Sequence, residues 1–144
     1  MRHVVDSKSI SELEKWKWKG PVPNESDSYT EYRFYSLHNK PISELDLSDI
    51  RFLITQNSGL EYLVPLVIEK LREDLFVETE YYPGDLFYSL LLINNKPNYW
   101  ESHLKEKQEL LELYADQKQK LGILDLTEDL IEKIKKGYKD FLNK

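Results

Sequence analysis

The chain has 144 residues and a mass of 17.2 kDa, is 40% hydrophobic and 32% charged, and carries a formal charge of −6. That length can build a core without staples, the apolar content is too high for a disordered chain, and the lack of cysteine removes disulfides, zinc thiolates and thiol nucleophiles. The charge is uneven: residues 57–93 set seven acids against Lys70 and Arg72, holding −5 of the −6, the opposite of what a phosphate-gripping surface needs. Direct nucleic-acid binding is therefore not expected, and a basic protein partner is.

In chain order, Ser9 to Glu14 opens with hydroxyl caps and early acids and predicts a helix reaching Trp16 and Trp18, broken at Gly20-Pro21-Val22-Pro23-Asn24. Asp27-Ser28 caps a second helix bearing Tyr29, Tyr32, Arg33 and Leu37, which stops before Asn39-Lys40-Pro41 because the residue before proline is pushed out of helical geometry. A short turn at Pro41–Leu45 leads to a helix that includes Asp49–Ile54 and ends near Asn57-Ser58-Gly59. Leu60, Leu63, Val64, Val67 and Leu71 make one helical stripe, with Pro65 expected in the first turn and residues 60–64 as a tight lead-in.

Asp74 to Tyr82 reads as an acidic connection with room for a short strand but no partner for it. Pro83-Gly84-Asp85 starts a helix from Leu86 to Ile93 that is apolar on almost every side, which places it at the centre of a bundle. Pro97 begins a long helix through about Lys118, with Trp100, Leu104, Leu111 and Tyr114 on its inner stripe. Thr127 caps the last helix, whose apolar face is Leu130, Ile131, Ile134, Tyr138 and Phe141. The expected fold is all-α: a single-domain bundle of about six helices with a charged helical extension over about 101–144. No apolar run approaches the ~18 residues of a spanning helix, and Met1-Arg2-His3-Val4-Val5-Asp6 carries no signal-peptide stretch. A cytoplasmic location without membrane attachment is expected.

Nothing in the sequence assembles a reaction centre. His3, His38 and His103 stand alone, far from ligand spacing. No serine sits in a nucleophile elbow, and five glycines leave little for a phosphate loop. Acidic pairs such as Glu78 and Glu80 read better as surface solvation than as a hydrolytic dyad. The expectation is a non-enzyme with no cofactor and no metal. Two motifs stand out: Pro41 to Gln56 followed by Ser58 to Leu66, and Tyr82-Pro83-Gly84-Asp85-Leu86. Read as residues alone, Arg51 and Gln56 tie helix ends together, and Tyr82–Asp85 is a helix start.

Together and in this order, the two motifs, with Pro97 and Trp100 after them, resemble the immunity proteins of contact-dependent growth inhibition, the CdiI family. The resemblance covers roughly residues 10–100. It implies a helical protein in the cytoplasm that binds the C-terminal toxin domain of a surface adhesin, commonly a nuclease with a basic groove, and blocks it without catalysis. On that reading the acidic middle segment stands where phosphates would sit, and Tyr62, Glu69, Glu73, Asp74, Glu78, Glu80 and Tyr81 form the toxin interface. The alternative is a helical adaptor or regulatory module unrelated to toxin immunity.

Overall fold

Most of the helices begin where a short polar side chain can take a free N–H. A computed structural model describes residues 7–144; His3 and the rest of the N-terminal hexapeptide lie outside the described residues. Ser9 and Glu12 form a capping box at the head of α1 (Ile10–Glu14), and Ser28 accepts from the Glu31 N–H at the head of α2 (Tyr29–His38). Asp46 and Asp49 form a second capping box opening α3 (Leu47–Thr55), after a 3-10 turn at Ile42–Glu44. Gly59, at φ +66°, gives the chain its left-handed step into α4 (Leu60–Glu73), and Gly84, at φ +89°, does the same for α5 (Asp85–Leu91). A Cβ on Gly59 would come within 2.7 Å of Ile10 Cδ1, so close packing adds to the conformational demand there. A 3-10 turn at Tyr99–Ser102 precedes α6 (Leu104–Gln117), and Thr127 caps α7 (Glu128–Phe141).

Among the described residues the bundle is 62% helical, with seven α-helices and no strands. The acidic connection that had room for a strand contains a single isolated bridge between Glu78 and Pro83.

Four boundaries differ from the sequence expectation, each for a physical reason. The first helix stops at Glu14 because Lys15 turns left-handed, at φ 53°, so Trp16 and Trp18 lie on irregular chain beyond it and pack against Phe34 of α2. The segment 60–64 is helical, with Pro65 inside α4. Leu60, Leu63 and Val64 are buried and Pro65 faces water, so apolar burial outweighs the one helical hydrogen bond that proline cannot donate. The helix expected from Pro97 is interrupted at His103, and Leu104, expected on the inner stripe, is 65% exposed. Tyr114 is buried as expected, Leu110 joins it, and Leu111 is half-buried. The central helix spans Asp85–Leu91 rather than Leu86–Ile93.

That helix is central. It packs against α3, α4 and α7, and Leu86, Phe87, Leu90 and Leu91 are fully buried. The charged C-terminal helices share its core: Leu110, Tyr114, Leu121, Ile134 and Phe141 are buried in the same cluster, and Phe141 meets Trp100 edge-on at 5.1 Å. Lys144 Nζ donates to the carbonyls of Leu91 (2.7 Å) and Ile93 (3.0 Å), supplying donors at the end of α5.

Candidate functional site

On α4, Leu60, Leu63, Val64, Val67, Ile68 and Leu71 face the core. The helical period then sends Tyr62, Leu66, Glu69 and Glu73 (spacings of four, three and four) along one outward stripe. Tyr62 and Leu66 are half-buried against the core, Glu69 is half-buried, and Glu73 is exposed. Glu73 ends the helix and Asp74 follows it, both at the negative pole, where carboxylates are disfavoured by about 0.3–1 kcal/mol each. Lys70 and Arg72 in the last turn offset this, but the Arg72 guanidinium is engaged by both carboxylate oxygens of Glu109 on α6.

The segment 74–83 is held down at both ends. Leu75 and Phe76 are buried, the Leu75 N–H donates to Gln117 Oε1 (3.2 Å), and the Phe76 N–H donates to Asp74 Oδ1 (3.1 Å). At the far end Asp85, 2% exposed, accepts four hydrogen bonds: from the backbone N–H groups of Thr79 (2.9 Å), Glu80 (3.0 Å) and Tyr81 (2.9 Å), and from the Thr79 hydroxyl (2.8 Å). Burial pushes its carboxyl up, but these donors together outweigh burial and hold it below the ordinary carboxylate range. Gly84 permits the turn, since a Cβ there would need φ +89° and would stand 3.2 Å from Phe76. The motif Tyr82–Leu86 is thus more than a helix start: Asp85 reaches back and shapes the loop before it.

Two arginines support the loop from below. Arg51 Nη2 donates to Glu80 Oε2 at 3.2 Å, and its guanidinium lies 4.6 Å from the Tyr81 ring centre. Arg33 reaches the same Glu80 oxygen at 3.7 Å, donates to Ser48 Oγ (3.2 Å), and covers Phe52. Arg51 Nε, buried and without a hydrogen-bond partner, stands 4.0 Å from Asp85.

The seven candidate interface residues therefore fall in two sets. Tyr62, Glu69 and Glu73 share the α4 stripe; Asp74, Glu78, Glu80 and Tyr81 follow on the loop. Glu80 turns to the arginines, and Glu69 lies within electrostatic reach of Arg72. Glu73, Asp74 and Glu78 are exposed, and Tyr81 is 64% exposed. Residue reasoning missed Arg33 altogether and gave Arg51 a different role. The signal available was the family motif itself, since Arg51 and Asp85, one from each motif, meet at this loop.

The remaining titratable groups are structural ties. His38 is buried between Trp16 and Phe34, with Nδ1 2.6 Å from the Phe34 carbonyl and Nε2 2.6 Å from Ser58 Oγ. Burial lowers its pKa more than the Phe34 bond raises it, so the neutral ring donates to Phe34 and accepts from Ser58. His103 stacks on Tyr99 at 3.7 Å and reaches Glu61 at 3.0 Å. Burial, followed by the hydrogen bond to Glu106, pushes the Tyr99 phenol far above its ordinary range, which keeps it protonated. Among the described residues no group of three or more His, Cys, Asp or Glu side chains could hold a metal ion, and no helix is long and apolar enough to cross a membrane.

A family model described as CDI immunity proteins matches residues 12–110, from within α1 to the middle of α6, and includes both motifs. No curated protein and no solved structure matches the chain.

Proposed function

The chain belongs to the CDI immunity proteins, and from that premise we propose that it binds the cognate toxin domain of a contact-dependent growth inhibition system and disables it by occlusion, without catalysis, in the cytoplasm of the producing cell. The single observation that carries the mode of binding is the loop 74–83. It follows Glu73 in the chain and carries exposed Asp74 and Glu78 together with a Tyr81 ring, one face of which is already occupied by Arg51. An exposed aromatic ring held in place before contact loses little conformational freedom on docking, which is what an anchoring residue needs. The exposed carboxylates of the same segment suit a basic surface, and a nuclease groove is the natural candidate.

Two features favour a binding role over an adaptor with another task. Glu73 sits at the helix end that least favours a carboxylate, so the helix alone gives no reason for its placement. The loop that bears Glu78 and Tyr81 is organised by the family motif through Asp85. The test is co-purification of this chain with the C-terminal domain of the secreted protein encoded beside it, followed by a nuclease assay of that domain with and without the chain. A stable complex with lost nuclease activity is expected. A toxin domain that neither binds the chain nor is silenced by it would overturn the proposal, and a complex in which nucleic acid is still cut would overturn occlusion.

A further inference from the structure

We propose that an apolar groove between α4 and the start of α3 receives an apolar side chain of the toxin domain flanked by lysine or arginine. The inference rests on the immunity reading and adds to it a second, uncharged half of the interface. The groove has a volume of about 420 Å³, within the range of pockets that take a compact ligand group. Ile50 forms its buried floor, and Leu47 and Leu66 are half-buried against it. Apolar surface left in water at Leu47 and Leu66 would be removed from it by an inserted side chain, which favours docking.

The rim says what kind of chain brings that side chain. Asp46 and Glu69 border the groove against a single base, Lys70. Leu66 and Glu69 belong to the same α4 stripe as Tyr62 and Glu73, so the groove borders a helix face that runs on to an acidic end. A second copy of this chain is the poorer occupant. Pairing this face with itself would bring the Glu69 and Glu73 stripes of two chains of net charge −6 together, and like charges brought face to face suppress association. A basic partner removes the conflict.

The experiment is titration calorimetry of the full chain with the purified toxin domain encoded beside it. Ser43, exposed in the 3-10 turn at the groove, is replaced to fill the groove from its mouth. Ser43→Trp is expected to weaken binding about tenfold or more, as blocking an anchor pocket does, while Ser43→Ala binds like the parent and both keep the parent melting temperature. Leu66→Ala, which removes one wall, is expected to weaken binding as well. Lys70→Gln, which leaves the rim acidic, is expected to speed association. Toxin binding by folded Ser43→Trp within about twofold of the parent would overturn the groove, since a filled hot-spot pocket cannot bind unchanged. Loss of affinity for Glu73→Lys and Glu78→Lys in the same titrations would then show the immunity reading standing without it. Failure of the parent chain to bind the toxin removes both. A concentration-dependent dimer that Ser43→Trp dissociates would give the groove to a second copy and overturn the proposal.

Discussion

Glu80 lies 3.2 Å from the guanidinium of Arg51, so although Glu78 and Glu80 are both exposed on the 74–83 loop, the Glu80 carboxylate is tied to an arginine of α3. The side chains of the pair are only 12% and 33% exposed. Partial shielding places its contribution near the upper end of surface ion pairs, about 1 kcal/mol. Glu80→Gln should lower stability to denaturant by about that amount in low salt and by less in 1 M salt. An unchanged denaturation midpoint would show the pair contributes nothing.

Asp85 concentrates more energy. Asp85→Asn replaces a buried acceptor of four hydrogen bonds with an amide that carries two donors toward backbone N–H groups. A loss of roughly 2–4 kcal/mol is expected. Thr79→Val removes only the hydroxyl donor and should cost about 1 kcal/mol. Hydrogen exchange of the Glu80 and Tyr81 amides gives a local readout: both should lose protection in Asp85→Asn well before the core does.

Glu73 should show opposite signs in two assays. Glu73→Gln relieves a carboxylate at the helix C-terminus and should leave the free chain as stable as before, or more stable by a few tenths of a kcal/mol. The proposed interface needs that charge, so the double charge reversal Glu73→Lys with Glu78→Lys should weaken toxin binding and slow association. The parent's association rate should itself fall as salt shortens the screening length from ~8 Å at physiological strength to ~3 Å at 1 M. A salt-indifferent rate would remove electrostatic steering.

Acid should loosen the bundle in two steps. Burial holds the His38 pKa below its ordinary value, so the unfolded chain takes up the proton first. Its contribution is complete above about pH 6.5 and declines as pH falls toward the lower folded value. Asp85, also lowered, adds a second loss starting from its ordinary carboxylate range and continuing downward. Melting temperatures between about pH 7 and 5 should fall in the parent and change less in His38→Gln. Burial lowers the His103 pKa, but the Tyr99 carbonyl and Glu61 raise it more, so His103 works in the opposite direction over the same interval. The readout is therefore the difference between parent and His38→Gln, and two parallel curves would show His38 is not shifted.

Leu91, fully buried in α5, is the test of the core. Leu91→Asp should cost roughly 3–5 kcal/mol, because an unpaired carboxylate enters the bundle centre. A near-parental melting temperature would mean that the helix is not central.

Local chemistry was enough to read much of this from the amino-acid order. Ser28 and Thr127 mark helix starts because a cap acts over three residues of chain. The apolar run at Leu86–Leu91 announced a central helix because no face of it suits water. The family motifs and the acidic middle segment were likewise legible. What packing alone decided was which acids are tied to an arginine. Glu78 and Glu80 are the same residue type two positions apart, and nothing near them in the chain tells them apart. Arg51, 29 residues away, does, together with Arg33. Pro65 follows the same rule, since its own preference argued for a helix beginning there while the buried Leu60, Leu63 and Val64 carried α4 past it. Caps and periodicity act along the chain and can be read in order; ion pairs and burial act across it, and their outcome exists only once distant segments have met.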